Sequence, residues 1–158
     1  MAGLAVLLGA IAPAQQGVPA SAAPDRALLG RSEGDGTLSF LLGQERRFHV
    51  ESNGVVEAGW FRLDQAVTFA DRPTRTRTWR LREDRPGHYA GTLSDAAGPV
   101  SAETRGRRLL LRYRVGGLLV MHQTLELMAD DRTIDNVGRI TLLGVTVGRL
   151  RETIRRRE

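Results

Sequence analysis

From Arg107 to Val115 apolar and polar side chains alternate one for one. Leu109, Leu111, Tyr113 and Val115 take one parity, and Arg108, Arg112 and Arg114 take the other. The same period recurs in Phe61–Phe69, where Phe61, Leu63, Val67 and Phe69 oppose Arg62, Asp64 and Thr68. It recurs again in Met121–Leu127, where Met121, Leu125 and Leu127 oppose His122, Thr124 and Glu126. Such a segment buries one face only as a strand, because successive side chains of an extended chain leave opposite sides of a sheet. No segment after residue 22 carries an apolar i, i+3, i+4, i+7 stripe over three helical turns.

Turn-forming residues punctuate the chain at Asp35-Gly36, Gly43-Gln44, Asn53-Gly54, Asp71-Arg72-Pro73, Pro86-Gly87, Ala97-Gly98, Arg105-Gly106, Gly116-Gly117, Asp130-Asp131 and Leu143-Gly144. Most are roughly 9 to 14 residues apart, the spacing of an antiparallel meander. The expectation is an all-β fold, an antiparallel up-and-down barrel of about 9–10 strands, because closure leaves no exposed edge. A β-sandwich is the alternative. At 158 residues the chain predicts a single domain.

The first 22 residues read as a leader. Leu4, Val6, Leu7, Leu8 and Ile11 form a short apolar run, and Ala20-Ser21-Ala22 is a small-x-small pattern suited to signal peptidase. The run is far short of the roughly 20 residues that span a bilayer. No basic residue precedes Arg26, so the positive start of a secretory signal is missing. The expectation is cleavage after Ala22, a mature domain over residues 23–158, and a periplasmic or secreted location.

The absence of cysteine excludes a disulfide scaffold, a thiolate metal site, a cysteine nucleophile and an acylated N-terminal cysteine. All 23 basic residues are arginine, set among 18 acidic ones for a net charge of +5. That balance gives no indication of a nucleic-acid partner. Arg149, Arg151, Arg155, Arg156 and Arg157 form a basic end, read either as a solvated last strand or as a contact for acidic lipid.

Parity carries polar residues to the inside. Gln65 lies between Leu63 and Val67, Gln123 between Met121 and Leu125, and Asn136 between Ile134 and Gly138. Arg77 shares parity with Trp79 and Leu81, and Asp95 with Tyr89 and Leu93. A hairpin through Arg85-Pro86-Gly87 that sets Leu81 opposite Gly91 would also set Arg77 opposite Asp95, as an interior ion pair. Such a pair either plugs the barrel or anchors a polar head group within an apolar cup. The interior candidates are Gln65, Arg77, Trp79, Tyr89, Asp95, Tyr113, Gln123 and Asn136.

Other chemistry finds no support. His49 and His122 take the solvent parity and His88 adjoins a turn, so no metal site is expected. Gly30, Gly34 and Gly36 precede a strand rather than a helix, which is not a phosphate loop. No nucleophile elbow is present, and no cofactor is expected.

Read in order, Leu29-Gly30-Arg31, Arg46-Arg47-Phe48-His49-Val50, Arg77-Thr78-Trp79-Arg80-Leu81, Gly87-His88-Tyr89-Ala90-Gly91-Thr92, Asp95-Ala96-Ala97-Gly98-Pro99, Leu110-Leu111-Arg112-Tyr113, Asp130 to Asn136 and Gly144-Val145-Thr146-Val147-Gly148 resemble domain-of-unknown-function family 3833. The resemblance implies a bacterial envelope protein with a lipocalin-like (calycin) barrel. It also implies acidic residues near Gln65, Gln123 and Thr124, which this chain lacks. Three functions follow as expectations: a monomeric barrel holding a small apolar or amphipathic ligand, a filled structural barrel, or an isomerase- or cyclase-type enzyme with Asp95 as base and Tyr113 or Arg77 as electrophile.

Overall fold

The computed structural model describes residues 21–158. After a short helix α1 (Pro24–Ala27) the chain runs through ten strands: β1 (Gly30–Phe40), β2 (Arg46–Glu57), β3 (Trp60–Phe69), β4 (Arg75–Arg85), β5 (His88–Leu93), β6 (Val100–Arg105), β7 (Arg108–Gly116), β8 (Leu119–Leu127), β9 (Thr133–Leu142) and β10 (Val145–Arg156). Each strand pairs antiparallel with its sequence neighbours, and β10 returns to pair with β1, closing the barrel. The expectation of an up-and-down barrel of nine or ten strands holds, with ten. Of the expected leader, Met1 to Ala20 lie outside the described residues.

The alternating segments are strands with the expected faces inward. Leu109, Leu111 and Tyr113 on β7, Met121, Leu125 and Leu127 on β8, and Phe61 and Leu63 on β3 are all buried. His49 and His122 face outward, as parity requires, and the His49 ring lies 2.8 Å from the Asp35 carboxylate. Two of the turn signals are wrong. Asp35-Gly36 lies within β1 and Asn53-Gly54 within β2, so Gly34 and Gly36 also sit inside a strand rather than before one. The β2–β3 turn falls instead at Ala58-Gly59, both with positive φ.

The two ends of the barrel differ. The connections that follow even-numbered strands surround α1, whose Ala22, Ala23, Ala27 and Leu28 neighbourhood packs into the core with Phe61 and Leu81. Helix α1 is only four residues long, far below the length that is stable alone, so it persists because it is packed here. It is tied by the Ala22 amide donating to the Gly106 carbonyl at 3.2 Å. Gly54 makes this approach possible, since any Cβ there would collide with the Leu28 carbonyl oxygen. Among the described residues the connections that follow odd-numbered strands carry no such plug, and the barrel opens at that end.

Candidate functional site

A polar belt crosses the barrel between the plugged end and the open end. On β2–β4 it centres on Gln65, whose Oε1 accepts from Arg77 Nε at 2.8 Å and from Trp79 Nε1 at 2.7 Å. The Gln65 amide donates to Ser52 Oγ at 3.1 Å. These contacts follow from register, because Gln65 sits opposite Ser52 on one side and Arg77 on the other. The Arg77 guanidinium also lies 5.6 Å from the Trp79 ring centroid.

On β7–β10 the belt is a directional chain. Tyr113 donates to Gln123 Oε1 at 2.9 Å, Gln123 Nε2 donates to Asn136 Oδ1 at 3.2 Å, and Asn136 Nδ2 donates to Glu152 Oε2 at 2.8 Å. The two halves meet where Trp79 and Tyr113 pack edge to face, with centroids 5.1 Å apart. Buried polar side chains cost folding free energy unless they find partners; here Gln65, Gln123 and Asn136 find them in one another's neighbours. Ser32 Oγ is buried without a partner among the described residues.

Burial sets the protonation of the belt. Desolvation pushes Tyr113 up to about 12 and raises the Glu152 carboxyl above 4.5, against the opposing pull of Asn136 and Arg77. Room for this carboxyl exists because β1 presents glycine beneath it. A Cβ at Gly34 would strike the Glu152 carboxyl, and one at Gly36 would strike the Arg151 carbonyl oxygen and the Phe48 ring.

Below the belt, toward α1, Leu109, Leu111, Leu125, Leu81 and Phe61 leave a void of only about 40 Å³. Above it, an apolar cup of about 350 Å³ opens at the mouth, walled by Phe48, Val50, Val67, Phe69, Met121 and Ile140. Its floor is Arg77, Tyr113, Gln123 and Glu152, with Arg75 and Asp95 also lining it. Arg77 Nε is engaged with Gln65, and its guanidinium borders the cup beside Tyr113. The arrangement pairs a cationic donor with a carboxyl held toward its neutral form, at the base of an apolar wall.

The structure brings together six of the eight sequence candidates in the belt: Gln65, Arg77, Trp79, Tyr113, Gln123 and Asn136. Tyr89 is buried elsewhere, among the core residues near α1, where desolvation and the Asp25 charge push its hydroxyl up to about 12. Asp95 is a correction. The expected register is present, with Trp79 opposite Leu93 and Leu81 opposite Gly91. However, β5 ends at Leu93, and a turn closed by the Ala96 amide on the Leu93 carbonyl at 3.0 Å carries Asp95 to the exposed rim. No Arg77–Asp95 ion pair forms within 4 Å; the inward partner of Arg77 is Gln65. The alternation also offers Leu109, Leu111, Leu125 and Leu127 as apolar walls of the cup, and the structure places them elsewhere. They belong to the packed half, because α1 closes that end.

Glu152 escaped the sequence reading. Its signal was available: it lies between Leu150 and Ile154 in the alternation of β10, but the surrounding arginines made the strand look solvated. The expected basic C-terminus also divides. Arg157 pairs with Glu33, and Arg155 stands opposite the same acid, whereas Arg149 lies toward the mouth with Arg139 opposite it.

A closed antiparallel barrel with one plugged end and one apolar cup over a polar floor defines a lipocalin-like protein. The sequence profile of DUF3833, a family of proteins of unknown function, matches residues 15–156, and the chain belongs to that family. Solved structures share the fold. The S-type phycobiliprotein lyase CPES from Guillardia theta superposes with a TM-score of 0.66 at 9% identity, over 84% of this chain and 89% of that one. Rv2717c from M. tuberculosis gives 0.65 at 16% identity, over 84% and 94%. A DUF3598 protein of unknown function from Nostoc punctiforme gives 0.54 at 16% identity, over 83% of this chain and 48% of that chain. No functionally curated protein matches the sequence.

Proposed function

We propose that this protein is a small-molecule carrier that holds an amphipathic ligand in the open cup, its apolar part against Phe48, Val67 and Met121. The polar head rests on Arg77, Tyr113, Gln123 and Glu152. The observation that carries this reading is the asymmetry of the interior. The plugged half is packed to a 40 Å³ void, while the mouth half keeps 350 Å³ above the polar floor. That volume lies at the small end of the 300–1,000 Å³ range of ligand pockets. A half-buried guanidinium at the foot of an apolar wall favours an anionic or strongly accepting head group. A fold shared with a protein named as a phycobiliprotein lyase is consistent with small-ligand binding. The proposed location is the periplasm or cell exterior, with cleavage after Ala22 and a monomeric mature chain. That cleavage would remove from the plug the buried Ala22 side chain, the hydrogen bond from its amide to the Gly106 carbonyl, and the Ser21 hydroxyl that accepts from the Ala23 amide.

The test is native mass spectrometry of protein purified from its own host, together with titration by anilinonaphthalene sulfonate, an apolar body with an anionic head. A co-purifying small molecule and saturable one-to-one fluorescence are expected. Val67→Trp, which fills the cup, should abolish both, and Arg77→Met should weaken the titration. Absence of both signals in the folded wild type would assign the barrel a filled, structural role instead.

A further inference from the structure

Exposed apolar residues concentrate at the open end. Of the eleven large hydrophobic side chains exposed on the described residues, seven lie in or beside the connections that follow β1, β7 and β9. Leu41, Leu42, Leu118, Leu143 and Val145 mark these tips, with Leu42 98% and Leu143 79% exposed. The plugged end shows Leu29, Val56 and Met128, none above 51%. The Leu143 tip is kept against backbone preference. Leu143 and Gly144 have φ of 48° and 85°, a tight hairpin turn in which asparagine or glycine normally occupies the first position.

A second observation concerns charge. On the outer face of β7–β10, Arg112 faces His122, His122 faces Arg139, and Arg139 faces Arg149, one row in direct cross-strand register. Like charges directly opposite each other destabilise a sheet, and none of the three arginines makes a salt bridge among the described residues. The row lines an outer groove of about 600 Å³ that Ser101 and Thr124 also border. Arg157, by contrast, is engaged by Glu33. Arg139 is four residues from Leu143, which at about 3.3 Å per residue and a strand tilt near 40° sets Arg139 about 10 Å behind the tip. Interfacial elements bury their apolar parts roughly 5–10 Å deep, so tips and arginines match the acyl boundary and the phosphate layer respectively.

We propose that the open end of the barrel docks on a bilayer containing anionic lipid, with Leu41, Leu42, Leu118 and Leu143 entering the acyl boundary and Arg112, Arg139 and Arg149 meeting lipid phosphates. The cup then opens directly onto the membrane. This docking stands on the tips and the arginine row, independently of what the cup holds.

The test uses the full chain and vesicles of phosphatidylcholine with and without phosphatidylglycerol. Flotation with the mixed vesicles and little with phosphatidylcholine alone is expected. Arg139→Gln with Arg149→Gln should lower partitioning about 25-fold, roughly five-fold for each arginine. Leu143→Asn, which suits the turn and should fold at least as well, should lower it about ten-fold in concert with Leu42→Ser. The chain has no cysteine, so a polarity-sensitive dye on Leu143→Cys should shift blue on binding, and the same dye on Asp84→Cys, at the plugged end, should not. Equal partitioning of wild type and both variants would overturn the proposal, as attachment through another segment. A blue shift at Asp84→Cys equal to that at Leu143→Cys would overturn the orientation and with it the docking. Equally tight binding to duplex DNA, unchanged by the leucine replacements, would give the arginine row to a soluble polyanion and overturn it too.

Discussion

Asn136 and Glu152 face each other across the β9–β10 pair, and the Asn136 amide donates to the Glu152 carboxyl at 2.8 Å inside the barrel wall. This contact gives the only acid in the belt a partner, but burial still outweighs it and raises the carboxyl above 4.5. The folded state therefore binds the proton more tightly than the unfolded state does. The stability this contributes is complete below pH 4.5 and is lost as pH rises through the folded value. Glu152→Gln should remove that loss. The melting temperature of the variant minus that of wild type should grow from about pH 4.5 upward, as followed by circular dichroism. A flat difference would mean that the carboxyl is hydrated.

Tyr89 and Tyr113 are the chain's two tyrosines, and desolvation pushes both up to about 12. A spectrophotometric titration should thus show no tyrosinate near pH 10 while the protein is folded. Because the unfolded chain ionises first, stability should fall between pH 10 and 12. Tyr113→Phe should remove part of that fall and leave Gln123 Oε1 without its donor, at a cost of about 1 kcal/mol at neutral pH.

Gln65 is the acceptor for two donors, Arg77 Nε and Trp79 Nε1. Gln65→Leu should cost about 1–3 kcal/mol in chemical denaturation, because it leaves both unpaired. In double-mutant cycles the coupling between Arg77 and Gln65 should exceed about 0.5 kcal/mol. That between Arg77 and Asp95, which form no ion pair, should be smaller. Reversed magnitudes would restore the interior ion pair that alternation alone suggests.

Gly54→Ala would drive a methyl group into the Leu28 carbonyl. The expected result is a loss of about 1–3 kcal/mol, with hydrogen exchange rising first at Ala27 and Leu28. Uniform exchange across the barrel would show that the plug is not a separate unit.

Much of this was legible in the strand period. Leu63, Gln65 and Val67 share a parity, so an inward Gln65 follows as soon as the segment is a strand, and Gln123 and Asn136 follow likewise. Asn53-Gly54 and Asp35-Gly36 misled because turn chemistry describes local backbone preference, whereas these glycines serve contacts distant in sequence. Gly54 admits Leu28, and Gly34 and Gly36 lie against Glu152. Parity ran one step too far at Asp95, because alternation says nothing of where a strand stops. The division of the interior into a packed half and an open half was not visible, since it depends on which end α1 enters.

The closure of β10 on β1 has a consequence for folding order. Glu152 reaches the belt only from the last strand, and the glycines that accommodate it belong to the first. During synthesis β1 waits for a partner more than 100 residues away, so the polar floor cannot exist in any partly made chain. Until that late, long-range pairing forms, β1 and β10 each expose a free edge of the kind that recruits other chains. Completing the floor and removing the aggregation hazard are therefore a single kinetic event, and variants that slow it should reduce yield before they change the finished molecule.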